Sequence, residues 1–415
     1  MPTRSHGSAA SSFAATTRVR PLACTSRPPV PVPVPVLAPE QTVTLSVERR
    51  QVLAYRAAAQ GLGREAGSPD ELAVFDLGVQ DTNVGSARLA LAARLPADPD
   101  DAMTDPAFTL LWSFRGAPHL HRTRDLPTLA SALWPISDAD AVARLAAERG
   151  PFKAARVQGM EAFAAAAAAM RAVVTGPTPK GEVSAGVTAR LPAAYSYACR
   201  SCQATHVYGG LFQQVGPFAG VRLLPDHAPA TLAPLDDQPS VPPTSTGPGD
   251  LIRAYLRLHG PATLSDAASY LGSSAAAIRP AFPDDLTAVR VEGRKTWITE
   301  EQVAPLREAS PAPDVVRLLP PSDPFLQARD RDLLVADRAR RKLVWRILGN
   351  PGVVLVDSEI AAVWRARAAG KGRVEVTVQP FESVTTAVRT GIAAEAERVA
   401  AVRGASDVRL RYEQA

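Results

Sequence analysis

The chain has 415 residues, of which 46% are hydrophobic and 21% charged, a balance typical of a soluble globular protein of two or three domains. No run approaches the roughly 18 apolar residues of a membrane-spanning helix, so we expect no membrane partner. Three cysteines are too few for a disulfide framework, which favours a reducing cytoplasm. The net charge of +5 permits a polyanionic partner without demonstrating one.

The first 43 residues differ in composition from the rest of the chain. They are rich in Ser, Ala and Pro, and Pro-Val is repeated between residues 29 and 36. Such a segment cannot bury a core and is typical of polyproline II or disorder. We therefore expect residues 1–43 to form a disordered tail.

Residues 44–130 indicate a first domain made of three helices and a hairpin. Apolar spacing predicts helices at 44–64, 71–77 and 84–94, and two short strands follow at 108–114 and 118–122. Three helices followed by a hairpin are the element order of a winged helix.

A first polar phrase, Gly78-Val79-Gln80-Asp81-Thr82, precedes the third of these helices. Asp81 or Thr82 is predicted to cap that helix, and capping alone would explain either residue. Capping does not explain Gln80, whose amide, held at the positive end of a helix, can orient a water or contact a base edge. The phrase is therefore a candidate catalytic site.

A second phrase places cationic groups between apolar anchors, in the order Trp112-Ser113-Phe114-Arg115-Gly116-Ala117-Pro118-His119-Leu120-His121-Arg122. His119 and His121 are two residues apart and so share one face of a strand. Only one of the two imidazoles need point into a site.

On these two phrases the chain resembles the bacterial DNA glycosylases built from tandem winged helices, which excise N-alkylated bases and unhook interstrand crosslinks. Members carry a Gln-apolar-Gln or Gln-apolar-Asp pair before a helix ending in Ala-Ala-Arg, and then a Trp-x-x-Arg-Gly-x-x-His-Leu phrase. The matching residues here are Gln80, Thr82, Ala92, Ala93, Arg94, Trp112, Arg115, Gly116, His119 and Leu120. Thr82 occupies the family's second catalytic position, and a carboxylate, Asp81, stands between the pair.

Residues 131–235 indicate a second, mainly helical domain, expected to be another winged helix, with helical spacing at 134–176, 182–191 and 207–215. Between the last two helices stands Cys199-x-x-Cys202-x-x-x-His206. Zinc takes four ligands, or three and a water, and His227 is a distant candidate for the fourth. Paired cysteines are also simply small buried residues, so we assign no metal site and expect no cofactor.

A Pro/Ser/Thr/Gly-rich linker at 236–250 precedes a third predicted winged helix at 251–310. Helices are predicted at 251–260, 263–271 and 274–281, with a hairpin at 289–298. Arg279 on the nominal recognition helix and Arg294 and Lys295 at the wing tip are predicted DNA contacts. That helix is otherwise small and uncharged, which argues against sequence-specific repression.

Residues 311–415 predict strands at 353–357, 360–365 and 373–378 and a final helix and strand at 394–410. The resembled family has a similar closing region, with a Leu-Pro-x-x-Asp-Pro opening and an arginine-rich turn, so the resemblance covers about residues 47–397. The candidate phosphate contacts here are Arg329, Arg331, Arg340 and Arg341, although an arginine-rich solvated face would look the same.

The expected fold is α+β, mainly helical, with three tandem winged helices. The resemblance implies a DNA glycosylase in which Gln80 orients a water, Asp81 and Thr82 assist, and Arg115, His119 and His121 hold double-stranded DNA. Only 6% of the chain is aromatic, which favours reading the lesion without flipping it. We expect a cytoplasmic monomer. The alternatives are a non-catalytic winged-helix DNA-binding protein and, further behind, a metal or redox protein built on Cys199, Cys202 and His206.

Overall fold

The computed structural model describes residues 45–413, apart from 83–84, 97–99, 146–147, 237–240, 243, 314 and 371. The expected tail of residues 1–43 lies outside the described part of the chain. Both helices and strands occur throughout the described residues, so the fold mixes α and β structure as expected. Within the described ranges, no helix is long and apolar enough to cross a membrane.

The helices of the described residues are α1 Arg49–Ala59, α2 Ser86–Ala92, α3 Leu126–Leu133, α4 Asp138–Arg144, α5 Arg149–Ala154, α6 Gly159–Val173, α7 Lys180–Thr188, α8 Gly209–Gln214, α9 Gly216–Ala219, α10 Gly249–His259, α11 Leu264–Leu271, α12 Ala275–Ile278, α13 Val303–Glu308, α14 Arg331–Leu334, α15 Arg338–Val344 and α16 Thr386–Val402. The strands are β1 Leu45–Val47, β2 Val79–Gln80, β3 Phe108–Trp112, β4 Pro118–Arg122, β5 Thr178–Pro179, β6 Ser196–Cys199, β7 Ala204–Val207, β8 Val221–Leu223, β9 Thr231–Pro234, β10 Leu286–Val291, β11 Arg294–Thr299, β12 Val316–Leu319, β13 Gly352–Val356, β14 Glu359–Ala368, β15 Arg373–Pro380 and β16 Asp407–Tyr412.

The N-terminal sheet has the strand order β2-β4-β3. The predicted hairpin of β3 and β4 is confirmed, and its strands are almost wholly buried. The helix predicted at 71–77 is wrong, because this stretch forms two short 3-10 turns at Pro69–Glu71 and Ala73–Asp76. It ends at Gly78, whose φ of +73° lies in the left-handed region and turns the chain into β2.

The middle of the chain is organised around α6, whose alanine-rich face is buried as its composition predicts. At its first residue, Gly159, an added Cβ would lie 2.6 Å from the Cβ of Ala141 on α4, so the two backbones approach closely. The sequence did not predict the small sheet β5-β9-β8 or the hairpin of β6 and β7, because strands of two to four residues leave almost no alternation to read.

Helices α10, α11 and α12 are followed by the hairpin of β10 and β11, in the order predicted for residues 251–310. A capping box between Thr263 and Asp266 starts α11. The nominal recognition helix α12 is only four residues long, because Pro280 follows within two residues of its end and cannot continue a helical hydrogen-bond ladder. β1 adds to this sheet in parallel with β10, although residues 45–47 were expected to belong to the first domain.

The C-terminal sheet has the order β12-β13-β14-β15-β16, which confirms the three predicted strands and the final helix and strand. β15 and β16 are parallel, so the chain must cross from one end of the sheet to the other between them. α16 provides that connection and buries Ile392, Ala396 and Val399 against the sheet.

Candidate active site

Gln80 lies on β2, directly opposite His119 on β4. The sequence suggested a position immediately before a helix cap, but α2 begins only at Ser86. The difference arises because the backbone at Gln80 pairs with β4 instead of turning into the helix. Residues that face each other across an antiparallel pair point their side chains to the same face of the sheet, so the amide and the imidazole are neighbours.

Thr82 and Asp81 have different surroundings. The amide nitrogen Nε2 of Gln80 donates a hydrogen bond to Oγ1 of Thr82, which lies two residues on. The Asp81 carboxylate instead accepts from the backbone N–H of Ala87 at 2.8 Å and from Oγ of Ser86 at 3.3 Å. It therefore supplies an acceptor to the first turn of α2, but the N-cap position belongs to Gly85, so the prediction that Asp81 or Thr82 is the N-cap residue is wrong. Burial raises the pKa of Asp81.

The His119 side chain is held in one tautomer by its backbone neighbour. Its Nδ1 lies 2.9 Å from the carbonyl oxygen of Ala117, and a carbonyl can only accept, so Nδ1 carries the proton and Nε2 is left as an acceptor. Burial, followed by the nearby His121 and Arg115, holds the pKa of His119 well below its usual range. The imidazole is therefore neutral at pH 7.

His119, predicted as a DNA contact, has 1% of its surface exposed and cannot contact DNA where it stands. The same holds for His121, which lies in the interior with 2% of its surface exposed. Its Nε2 is 3.0 Å from Oγ of Ser113, which also lies 3.0 Å from Nδ1 of His119. A Cβ added at Gly78 would come within 2.4 Å of the His121 ring, so the left-handed glycine makes room for it. Burial lowers the pKa of His121 to about 3.

Two acceptor atoms at this site have no hydrogen-bond partner: Oε1 of Gln80 and Nε2 of His119. Both residues line a cavity of about 10 Å³, which is roughly the room that one water molecule needs. Neither Asp81 nor Thr82 is among the residues that line it. Two buried acceptors in so small a space are complementary to the two O–H donors of a single water.

The opposite wall of the cavity comes from distant parts of the chain: His259 at the end of α10, Tyr270 on α11, and Ser322 and Gln327 after β12. Sequence reasoning missed all four as site residues. The available signal was an ionisable side chain, His259, on the apolar face of an amphipathic helix. Burial lowers its pKa well below the usual range, so this wall is also neutral.

A cationic cluster lies at Tyr270. The guanidinium carbon of Arg115 is 4.9 Å from the centre of the Tyr270 ring and that of Arg329 is 5.8 Å away. Arg115 donates to the Tyr270 carbonyl oxygen and, at 3.0 Å, to Oε1 of Gln327. Burial, with Arg329 as the next cause, lowers the pKa of Arg115 to about 10. Nε and Nη2 of Arg329 are buried without a partner, so the predicted contacts Arg115 and Arg329 share one electropositive position.

A buried ion pair braces the loop that carries Ser322 and Gln327. Arg94, from the Ala-Ala-Arg end of α2, and Asp323, from the Leu-Pro-x-x-Asp-Pro phrase, are both inaccessible to solvent. Their two Nη–Oδ distances are both 2.8 Å. The two phrases that the sequence analysis matched separately therefore meet in space and fix one wall of the cavity.

The DNA contacts predicted within residues 251–310 lie at the surface. Arg279 directly follows α12 and is exposed. Arg294 is 3.4 Å from a carboxylate oxygen of Asp266, and Nζ of Lys295 lies 5.5 Å from the Trp297 ring centre. None of the three lines the cavity.

The arginines of the C-terminal segment that were predicted to contact DNA already interact with other groups of the protein. Arg331 lies 5.0 Å from the Trp345 ring centre. Arg340 forms an exposed ion pair with Glu382 at 2.6 Å, and Arg341 donates to two backbone carbonyls at 2.7 and 2.6 Å. Arg340 and Arg341 are therefore weaker candidates for phosphate contact than the cluster at Tyr270.

The loop after α15 carries two fully apolar side chains in solvent: Ile347 is 101% and Leu348 is 85% exposed. The end of this loop, Asn350, lines a surface cavity together with Ser86 at the start of α2. Oγ of Ser86 donates to the backbone oxygen of Gln80 at 3.2 Å. The end of the exposed loop and the start of α2 therefore border the same surface cavity.

Residues 74–402 match the family model of AlkZ-like DNA glycosylases. This range covers most of the chain, and the chain belongs to that family. Membership accounts for the presence of the Gln80 and Trp112–Leu120 phrases in one chain.

A sequence match and a structure match, both to Streptomyces sahachiroi, give the comparison in detail. An interstrand DNA cross-link repair glycosylase is 31% identical over 170 residues, which are 39% of this chain and 44% of the relative. The matched stretch thus spans less than half of that relative. The structure of the DNA glycosylase AlkZ superposes with a TM-score of 0.68 at 21% identity, covering 89% of this chain and 100% of that one, which shows a shared fold.

Proposed function

We propose that the protein hydrolyses the N-glycosidic bond of alkylated purines in duplex DNA, with Gln80 and His119 holding the attacking water. The observation that carries the proposal is the pair of buried acceptors without partners, Oε1 of Gln80 and Nε2 of His119, on facing residues of β2 and β4. A water that donates both hydrogens to this pair keeps its oxygen lone pairs free, and these can attack a carbon atom.

The chemistry needs no acid catalyst. Alkylation of a purine ring nitrogen gives the base a positive charge, so the base is a good leaving group. The water oxygen bonds to the sugar carbon while the glycosidic C–N bond breaks, and the electron pair of that bond moves onto the base and cancels its charge. One water proton passes to Nε2 of His119 and then to solvent, leaving an abasic site and a neutral free base.

The three residues of the first phrase take different parts in this scheme. Gln80 contacts the water, and Thr82 accepts the hydrogen bond of the Gln80 amide nitrogen, which turns the amide oxygen towards the cavity. Asp81 holds the start of α2 and so positions the strand end. We assign it no contact with the reacting atoms.

The size of the cavity supports recognition of the lesion within the duplex. At about 10 Å³ the cavity can admit a water but not a purine, which enzymes that flip bases enclose in a pocket. Arg115 and Arg329 are suited to the phosphates beside the lesion, because both are partly exposed cationic side chains and charged donors form the strongest hydrogen bonds with phosphate.

The exposed loop completes the proposed DNA surface. Apolar side chains inserted between base steps bend and partly unstack a duplex, and Ile347 and Leu348 are exposed next to an arginine-rich helix, α15. We propose that these two side chains enter the duplex beside the lesion and hold it open towards Gln80.

The deciding experiment uses duplex DNA with a single N7-methylguanine, incubation with purified protein, and alkaline cleavage of abasic sites. We expect excision by the natural chain, and a rate about 100-fold lower for Gln80→Ala, since it loses a group that orients the nucleophile. Gln158→Ala is the control, because Gln158 is exposed and makes no cap hydrogen bond. Full activity of Gln80→Ala would overturn the site assignment.

The second candidate is a DNA-binding protein without catalysis, favoured by Thr82 at the family's second catalytic position. This candidate function predicts tight binding of the same duplex, with no alkali-sensitive product at any protein concentration. A duplex with an interstrand crosslink through alkylated purines extends the assay to the substrate class that the relative's name indicates.

A further inference from the structure

Cys199, Cys202 and His206 converge on the hairpin of β6 and β7. In its antiparallel register Cys199 faces Ala204 and Tyr197 faces His206. Facing residues point to the same side, and so do residues two apart on a strand, so Cys199 and His206 are diagonal neighbours on one face. Ala204, between them, has only a methyl group and leaves the space open. Cys202 reaches the same space from the turn.

The three potential ligand atoms lie within 4.8 Å of one another, with Sγ of Cys202 and Nε2 of His206 only 2.8 Å apart. In a tetrahedral zinc site with Zn–S bonds of about 2.3 Å and Zn–N bonds of about 2.0 Å, ligand atoms lie roughly 3.5–3.8 Å apart. Small side-chain rotations would bring the three ligand atoms from their present positions to this tetrahedral geometry. Two sulfurs and an imidazole are a donor set for zinc rather than for calcium or magnesium.

The surroundings of the cluster also favour a bound metal ion. Cys202 is exposed and Cys199 is partly exposed, although solvent-accessible free thiols are reactive and usually disfavoured at a surface. A hairpin of two four-residue strands is marginally stable by itself, and most side chains of β6 and β7 are exposed or half-buried. A crosslink through metal would stabilise the hairpin where a core cannot.

We propose that Cys199, Cys202 and His206 bind one zinc ion, with a water or an external ligand in the fourth position. The ion fixes the hairpin that leads directly into α8. Gln213 of α8 packs against Gly116 in the turn after Arg115, since a Cβ added at Gly116 would lie 2.9 Å from the Gln213 Cβ. The zinc site therefore braces the far side of the cationic cluster and takes no part in the chemistry.

The test measures metal in the purified chain by mass spectrometry and exchanges it for Co²⁺. We expect about one zinc per chain, and intense thiolate-to-cobalt absorption in the near ultraviolet that survives Cys24→Ser. Cys202→Ser and His206→Ala should each lose at least tenfold in affinity for Co²⁺. His227, the distant candidate for a fourth ligand, does not belong to the cluster. It is exposed and provides the matched control, His227→Ala, which should bind normally.

Three outcomes overturn the proposal: a reduced chain that takes up neither Zn²⁺ nor Co²⁺ at micromolar concentration, cobalt spectra without thiolate bands, or His206→Ala binding like the natural chain. Limited proteolysis after Arg200, in the hairpin turn, gives an independent readout, and cleavage should accelerate when a chelator removes the metal. Both measurements are independent of base excision, so they stand whether or not the glycosylase assay succeeds.

Discussion

Arg94 and Asp323, 229 residues apart in the chain, form a buried bidentate ion pair with both distances at 2.8 Å. Asp323→Asn removes the negative charge but not the volume, so the guanidinium is left uncompensated in the interior. We expect the free energy of unfolding to fall by about 3–5 kcal/mol, measured by urea denaturation.

The matched control for this variant is Asp285→Asn, which removes an ion pair with Arg253 whose partners are 62% and 38% exposed. An exposed pair contributes about 1 kcal/mol or less. The double variant Arg94→Met with Asp323→Leu should recover much of the lost stability, because it leaves no buried charge. A loss for Asp323→Asn no larger than for the control would contradict this view of the loop.

Replacing Arg329 should change how strongly DNA affinity depends on salt. If its unpaired donors contact one phosphate, Arg329→Ala lowers the magnitude of the slope of log affinity against log salt by about 0.9. The slope comes from fluorescence anisotropy titrations with one duplex across a range of salt concentrations. Arg409→Ala, on the exposed strand β16, should leave it unchanged; equal slopes for all three chains would exclude Arg329 from the DNA contact.

Ile347→Ser combined with Leu348→Ser should weaken duplex binding tenfold or more, since each apolar side chain buried in a complex contributes about 1.5 kcal/mol or more. Both side chains are exposed in the free protein, so the melting temperature should stay the same. A drop in melting temperature would mean that the loop packs within the protein, and unchanged affinity would show that the duplex does not reach it.

Stability should fall as the pH drops below about 6.5. His119, His121 and His259 have pKa values lowered by burial. Below about pH 6.5 these histidines are therefore protonated in the unfolded chain but stay neutral in the folded chain. Stability is then fully present above the unfolded pKa and is lost as the pH falls through it. For His121, whose folded pKa is about 3, the loss at pH 5 is about 2 kcal/mol. Urea denaturation at pH 5 and pH 7.5 measures the difference.

The variant that isolates one of these groups is His121→Asn. Whatever its effect on the free energy of unfolding at pH 7.5, this variant should lose about 2 kcal/mol less of that free energy between pH 7.5 and pH 5 than the natural chain does. His227→Ala, at an exposed position, should not alter the loss. The same loss in all three chains would show that His121 is not the group responsible.

The sequence predicted those parts of the fold in which the spacing of apolar residues repeats several times. The helices and hairpin of residues 251–310 follow an apolar spacing of helices and then of strands, and the structure confirms both. β2 could not be found in this way, because two residues, Val79 and Gln80, carry no period. Its existence depends on β4, whose backbone lies 38 residues or more further along.

The candidate site was only half visible for a similar reason. Gln80, Arg115 and His119 stand in two short phrases, so local reading and family resemblance could select them. Tyr270 and Gln327 belong to the site only because α11 and the loop after β12 pack against those phrases, and no local pattern records that packing. His121 was misplaced because two histidines on one strand face look equivalent in sequence. Both are buried, but the His119 ring borders the cavity, whereas the His121 ring packs against Gly78.

The cavity beside Gln80 has room for a solvent molecule and for nothing larger. In the proposed reaction the departing base is never enclosed by the protein, so bulk attached to the outer edge of that base meets no protein atoms. Selection would then depend on how weak the bond to the sugar has become, and chemically unrelated adducts of very different size would be removed at rates that follow their spontaneous loss.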